Sequence, residues 1–148
     1  MKTTRKGARS TVPAVDACPG CGATMRQRRS TLTWSVNGEK IRVPDIRHLR
    51  CPKCGETVLA LDQIRALRAG AFQVYRRSHG LLPGSAIRSV REQLGLTQVE
   101  LSRLLRLGAN TVSRWEAGRN VQSAAMDVLL RLIRDVPGSL DYLRGHAA

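Results

Sequence analysis

Aromatic residues, acidic residues and long apolar runs are all scarce in this sequence. Only 3% of its 148 residues are aromatic although 42% are hydrophobic, so any packed core must be mainly aliphatic. No run of about 18 apolar residues occurs, and no membrane-spanning helix is therefore expected. The basic N-terminus has no apolar block behind it, so no signal peptide is expected and a cytoplasmic location is predicted.

Basic side chains outnumber acidic side chains by more than two to one. The chain has 25 Lys and Arg against 11 Asp and Glu, which gives a net charge of +14 and a pI near 11.3. Such a balance favours an anionic partner, most simply nucleic acid. The charge is uneven, because residues 17–80 carry a net +8 whereas residues 1–16 and 81–148 carry +3 each.

Only four cysteines occur, and they form the same motif twice, as Cys18-x-x-Cys21-Gly and Cys51-x-x-Cys54-Gly. Each motif lets two thiolates face one ion, so the pair predicts a tetrahedral four-sulfur site that suits one Zn²⁺ per chain. Four thiolates leave no position for a reactive water, and a structural role is expected. The alternatives are iron held as in rubredoxins and a pair of disulfides, which are uncommon in the cytosol.

A β-hairpin is predicted between the two cysteine motifs. Alternating apolar residues flank Asn37-Gly38, a pair that tolerates the positive φ angles of a two-residue turn. That turn places Trp34 opposite Ile41 on one apolar face, where Trp34 is favoured as a core residue over a platform for stacked bases. Residues 46–50 predict a third strand leading into the second cysteine motif.

A helix is predicted after the sheet, with Asp62 as its N-cap. Apolar residues recur every three or four positions over residues 61–74, a stripe that can cover the sheet. Four arginines are expected on its outer surface: Arg65, Arg68, Arg76 and Arg77. The stretch from His79 to Gly84 breaks the pattern, so a metal-binding domain is predicted for residues 17–80 and a second domain for residues 81–148. Residues 1–16 predict a disordered tail, either an arm along DNA phosphates or a solvated segment.

Residues 97–118 predict two short helices around a tight turn. Thr97 and Glu100 have the spacing of a capping box at the start of the first helix. Gly108 is expected to give the turn its conformational freedom, and Gly118 is expected to end the second helix. The whole segment is typical of a helix-turn-helix, with an ordinary helical hairpin as the alternative.

The second of these helices, predicted for residues 109–117, has two faces. Val112, Trp115 and Glu116 lie on the face that can pack into a core. The opposite surface carries the candidate DNA-binding residues Asn110, Thr111, Ser113 and Arg114. Asn can bond an adenine edge twice and Arg can fork onto guanine, so this surface is suited to a major groove.

Five helices are predicted for residues 81–148. Ser85 and Ser123 are the expected N-caps of the first and fourth helices, and a short fifth helix starts at Ser139. The C-terminal residues are more apolar than so small a bundle needs, which predicts a homodimer. A two-fold dimer would set two recognition helices about 34 Å apart on a palindromic operator in double-stranded DNA.

The segment resembles the Xre/Cro-type helix-turn-helix of lambdoid-phage repressors. The matching pieces are LGLTQ at residues 94–98 and VSRWEAG at residues 112–118. The resemblance implies that Gln98 touches the DNA backbone. It also implies an internal ion pair between Arg91 and Glu116.

The combination of the two parts resembles the YgiT/MqsA-type antitoxins, which are zinc-finger plus helix-turn-helix proteins of type II toxin–antitoxin systems. It covers residues 17 to about 144 and is carried by the two cysteine motifs and by ANTVSRWEAG at residues 109–118. The resemblance implies a zinc domain that binds a toxin, usually a messenger-RNA ribonuclease. It also implies a helix-turn-helix domain that dimerises and represses the operon, with Asn110 and Arg114 reading bases.

The predicted elements give an α+β fold, a small zinc-bound sheet with one helix followed by an all-α five-helix domain. A stand-alone regulator is the alternative to an antitoxin, because a zinc domain of charge +8 could repel a basic ribonuclease and grip DNA instead. An enzyme is not expected, since the sequence shows no nucleophile–base arrangement, open metal position or phosphate loop.

Overall fold

The computed structural model describes residues 17–146, in which a three-stranded antiparallel sheet precedes six helices. The expected α+β class is confirmed, whereas the predicted tail of residues 1–16 lies outside the described part. The elements in chain order are β1 (Arg26–Val36), β2 (Glu39–Arg50), β3 (Thr57–Val58), α1 (Leu61–Ser78), α2 (Gly84–Gln93), α3 (Gln98–Leu104), α4 (Thr111–Glu116), α5 (Ala124–Asp135) and α6 (Ser139–His146). None of these helices is long and apolar enough to cross a membrane.

The predicted hairpin joins β1 to β2. Asn37 and Gly38 both take the left-handed conformation, with φ of 49° and 84°, as a two-residue hairpin turn requires. Trp34 lies opposite Ile41 in the register, as expected.

The third strand is not where the sequence placed it. The register shifts between Ser30 and Leu32, because β2 carries one extra residue at Asp45, whose φ is 58°. This bulge lets β2 continue through residues 46–50 instead of ending before them. The short third strand is β3, which pairs with the last two residues of β2.

Helix α1 packs on the sheet to form the first core. A Cβ on Gly70 would lie 2.7 Å from Cγ1 of Val43, so helix and strand approach as closely as a glycine permits. The N-cap is Ala60 and not Asp62, because the Gln63 side chain accepts a 2.9 Å bond from the Ala60 amide and starts the helix earlier. The buried members of this core are Val36, Ile41, Val43, Ile46, Leu67, Ala71, Phe72 and Val121.

Helices α2 to α6 surround a second core. Its buried members are Leu82, Ile87, Leu101, Leu105, Val112, Trp115, Leu130 and Ile133. Ser123 caps α5 as predicted, since its hydroxyl accepts from the Met126 amide at 3.2 Å. Ser85 does not cap α2. That helix begins one residue earlier, at Gly84, which packs directly against the carbonyls of Trp115 and Glu116.

A buried arginine ties α1 to the end of α4. Arg76 is 5% exposed, and its Nη2 donates to the carbonyl oxygens of Trp115 at 3.0 Å and Asn120 at 2.9 Å. Its Nε donates to Oε1 of Gln122 at 3.2 Å. The prediction that Arg76 lies on the outer surface was therefore wrong. Burial lowers the pKa of Arg76, although the negative charge of Asp127 opposes that shift.

Replacing Arg76 should destabilise the contact between the two cores. Arg76→Met keeps much of the apolar stem but leaves the carbonyls of Trp115 and Asn120 and the side-chain amide oxygen of Gln122 without their donor. We expect a loss of about 2–3 kcal/mol in the free energy of unfolding, measured by urea denaturation. The neighbouring Arg77→Met, at an exposed position, is the matched control and should change stability by less than about 0.5 kcal/mol. Equal stability of both variants would contradict the role of Arg76.

Candidate metal centre and nucleic-acid interface

The four cysteines converge at one end of the sheet. Sγ of Cys18 lies 3.5 Å from Sγ of Cys54, and Sγ of Cys21 lies 3.5 Å from Sγ of Cys51. All four sulfurs lie within 4.8 Å of one another, so together they could hold one metal ion. A tetrahedral site with Zn–S bonds of 2.3 Å has sulfur–sulfur edges of about 3.8 Å, which this cluster fits.

Each cysteine motif folds into the same tight turn. The Gly22 amide donates to the Cys18 carbonyl at 2.8 Å, and the Gly55 amide donates to the Cys51 carbonyl at 3.0 Å. Both glycines take positive φ, 72° and 79°, where a side chain would be strained. The glycine after each second cysteine is thus what allows the turn to close.

Backbone amides set the charge on the cluster. The amide of Cys54 donates to the sulfur of Cys51 and is the main reason that the pKa of Cys51 falls to about 6. The amide of Glu56 lowers the pKa of Cys54, but hydrogen bonds with neighbouring thiols, that of Cys18 first, raise it to about 12. The pKa of Cys21 is raised as well, so the thiols of Cys21 and Cys54 resist ionisation and a metal ion must displace their protons as it binds.

Helix α4 carries the predicted base-reading residues. Val112 and Trp115 are buried, whereas Asn110 and Arg114 are exposed, so the two faces are arranged as expected. Thr111 and Ser113 are half-buried beside them. Asn110 precedes the helix, makes no capping bond and keeps its amide available.

Two details of this region differ from prediction. The helix spans Thr111–Glu116, shorter than residues 109–117, because Asn110 and Ala117 are its caps. The left-handed residue of the turn is Arg106, with φ of 54°, and not Gly108. The capping box at Thr97 and Glu100 is confirmed, with bonds of 3.2 and 2.7 Å, and Gly118 has the expected positive φ.

A buried carboxylate fixes α4 in place. The Glu116 side chain is 0% exposed and accepts from Arg91 Nε at 2.6 Å, Gln98 Nε2 at 2.8 Å and Arg88 Nε at 3.3 Å. The ion pair of Arg91 with Glu116 is therefore confirmed, and Gln98 is directed at this carboxylate. Burial raises the pKa of Glu116, but these donors outweigh it and hold the pKa below its usual value.

A groove between α1 and α4 was not predicted. It has a volume of about 750 Å³ and places Arg65 and Arg68 near Arg114 and Arg119. Arg68 donates to the Arg119 carbonyl at 3.3 Å, which holds the two walls together. The periodicity of α1 had assigned these arginines to an outer surface, but no local signal shows which element lies across from them.

A four-cysteine cluster that could hold a metal ion, on a small sheet joined to a helix-turn-helix unit, is the arrangement expected of a two-part antitoxin. A family model described as the antitoxin component of a bacterial toxin–antitoxin system, MqsA, matches residues 16–144. The chain therefore belongs to the MqsA family of antitoxins.

Two curated proteins show this similarity individually. Antitoxin MqsA of Escherichia coli K12 is 28% identical over 130 residues, which cover 86% of this chain and 98% of that protein. Antitoxin HigA-2 of Vibrio cholerae serotype O1 is 33% identical over 55 residues, 37% of this chain and about half, 53%, of that protein. Both relatives are antitoxins.

Neutralising Glu116 should destabilise the helix-turn-helix and change its response to acid. Glu116→Gln removes the charge that three donors face, and breaking a buried ion pair costs about 3 kcal/mol or more at neutral pH. Because the pKa of Glu116 in the folded state lies below the ordinary glutamate pKa of 4.5, this stability is present above pH 4.5 and is lost as the pH falls through the folded-state pKa. The difference in the free energy of unfolding between wild type and Glu116→Gln should therefore shrink in acid.

Thermal unfolding between pH 3 and pH 7 measures that gap. Glu92→Gln is the control, because Glu92 is exposed and its pair with Arg91 is long, at 3.5 Å. A gap that stays constant with pH would contradict the assignment to the carboxylate charge.

Proposed function

We propose that this antitoxin neutralises a cognate toxin and represses its own operon by binding double-stranded DNA. The observation that carries the proposal is the exposed face of α4. Asn110 and Arg114 project outward without a side-chain hydrogen bond or ion pair among residues 17–146, while the opposite face is anchored by Trp115 and Glu116. Side chains of this kind on an anchored helix match major-groove readout.

Five residues are proposed to contact the operator. Asn110 and Arg114 read base edges, and Thr111 and Ser113 lie beside them. Gln98 contributes from the start of α3, where its bond to Glu116 positions it next to α4. The domain of residues 81–148 thus supplies the operator-binding surface.

A homodimer is proposed because α5 leaves apolar side chains exposed. Val128, Leu132 and Val136 recur every four residues and are 63%, 43% and 50% exposed. Tyr142 on α6 is 65% exposed. Burying these residues against a second copy would place two α4 helices on a palindromic operator.

One structural Zn²⁺ is proposed for the four-cysteine cluster. Four soft sulfur ligands in tetrahedral reach favour zinc, and their number leaves no open coordination position. Cys18, Cys21, Cys51 and Cys54 would hold the ion and tie both ends of the β1–β2 hairpin together. The protein is proposed to be a regulator and not an enzyme, acting in the cytoplasm, where thiols stay reduced.

The domain of residues 17–80 is proposed to bind the toxin, a messenger-RNA ribonuclease. A pull-down of the tagged full-length protein from its native host, followed by mass spectrometry, tests this directly. We expect a stoichiometric small protein encoded beside this gene, and co-expression should rescue the growth arrest that it causes. Recovery of only the protein's own dimer and DNA would contradict the toxin assignment.

A stand-alone DNA-binding regulator is the second candidate, favoured by the groove between α1 and α4. Arg65 and Arg68 of the metal-binding half lie beside Arg114, so that half could neutralise phosphates next to the recognition helix. This candidate predicts no toxin in the pull-down.

Removing the Arg114 guanidinium should weaken operator binding. We expect Arg114→Ala to cost about 1–3 kcal/mol and to relax the preference at one base pair, because a forked contact to guanine is lost. Electrophoretic mobility shift with the operator and with single-base variants measures both effects. Arg103→Ala, an exposed arginine on α3, is the control. Unchanged affinity and preference in Arg114→Ala would exclude α4 as the reader.

A further inference from the structure

A second basic depression lies at the cysteine end of the sheet. Its volume is about 390 Å³, and it is bounded by the start of β1, the end of β2 and the second cysteine motif. It is lined by four arginines and one histidine: Arg26, Arg28, Arg29, Arg50 and His48. No lining residue belongs to any helix, and none is shared with the groove beside α4. We call this depression the arginine pocket.

The arginine pocket has positive charge that the described residues do not balance. Arg29 pairs with Asp45. Arg26, Arg28 and Arg50 have no carboxylate partner anywhere in residues 17–146. Moreover, Arg26 lies directly opposite Arg50 across the two strands. Like charges in that position destabilise a sheet unless an anion lies between them.

A histidine in the wall of the same pocket uses only one of its two ring nitrogens in a hydrogen bond. His48 is 1% exposed and lies opposite Arg28 in the register. Its Nδ1 lies 2.9 Å from the Ile46 carbonyl oxygen and donates to it, whereas Nε2 has no partner among the described residues. No buried side-chain nitrogen or oxygen in residues 17–146 lacks a hydrogen-bond partner, so Nε2 must open to the pocket. Nε2 is thus reachable from the pocket, whereas the unpaired arginines are what favour an anionic ligand there.

We propose that the arginine pocket binds a carboxylate side chain presented by the toxin. This inference rests on the proposed antitoxin function. Guanidinium groups bind carboxylates through two parallel hydrogen bonds, and three of them converge here. The pocket shares no lining residue with the groove beside α4, so the phosphates of an operator held by α4 do not fill it and a group of the toxin can. An acidic contact of this kind also explains how a domain of charge +8 can hold a ribonuclease.

A simpler role for these arginines is to offset the negative charge of a metal–thiolate cluster. Arg50 approaches the second cysteine motif, where its Nη2 lies 4.0 Å from the Cβ position of Gly55. That role predicts weaker metal retention when an arginine is removed, and no effect on acidic ligands. Metal content therefore separates the two explanations.

The test compares Arg28→Gln with Arg42→Gln in the full-length protein. Arg28 lines the pocket, whereas Arg42 is exposed on the opposite face of the sheet, across from Thr33. Each variant removes one positive charge from the same hairpin. The first measurement is fluorescence anisotropy of a labelled hexaglutamate peptide at low salt, with metal content determined in parallel. The second is co-purification of the toxin with each tagged variant.

We expect Arg28→Gln to weaken hexaglutamate binding by about tenfold or more and to lose the toxin, with normal metal content. Arg42→Gln should behave as wild type in both measurements. Equal hexaglutamate binding by the two variants, loss of metal in Arg28→Gln alone, or a selective loss of binding to a non-operator DNA duplex would each overturn the proposal.

Failure of the arginine pocket as a docking site and failure of the antitoxin function give different results. If Arg28→Gln still retains the toxin, the docking site is wrong and the antitoxin function stands. If the wild-type protein recovers no toxin, the proposed function fails, and the hexaglutamate titration alone decides whether the pocket is a carboxylate site.

Discussion

The buried carboxylate of Glu116 is the contact on which the helix-turn-helix depends. Three donors converge on it, two from α2 and one from α3, so a single side chain sets where both helices lie relative to α4. Such an arrangement is stabilising only when every donor is in place, because an isolated buried charge is very costly. Arg114 lies two residues before Glu116 on the same short helix. The contacts of Glu116 therefore set which way the Arg114 side of α4 faces.

The same end of α4 also anchors the sheet and α1. Arg76 of α1 donates to the carbonyl of Trp115, and Gly84 packs against the carbonyls of Trp115 and Glu116. Val121, which follows α4, joins the core of the sheet. Any rotation of the sheet relative to the helix-turn-helix must therefore break the Arg76 bonds and expose Val121. The joint between the halves is thus a specific, hydrogen-bonded contact.

Several features that depend on neighbouring residues were predicted correctly from the sequence. The larger errors concern contacts between residues that are far apart in the chain. The Asn37-Gly38 turn, the capping box at Thr97 and the cysteine motifs depend on neighbouring residues, and the structure has all of them. Arg76 was misassigned because an arginine on the polar side of a helix normally faces water, and its partners lie 39 to 46 residues away. The arginine pocket was missed for the same reason, since Arg26 and Arg50 meet only once the bulge at Asp45 has set the register.

The positive charge of the sheet and α1 is concentrated at separate places that share no lining residue. One is the groove that includes Arg114, which is lined by residues of α1 and residues of and after α4, and it is proposed to face the DNA backbone. The other is the arginine pocket, which is built only from the sheet and the second cysteine motif. A carboxylate held in the pocket would leave α4 uncovered, so the two proposed partners need not compete for the same residues. Coupling between them would then pass through α1 and Arg76, because these contacts connect the sheet to the end of α4.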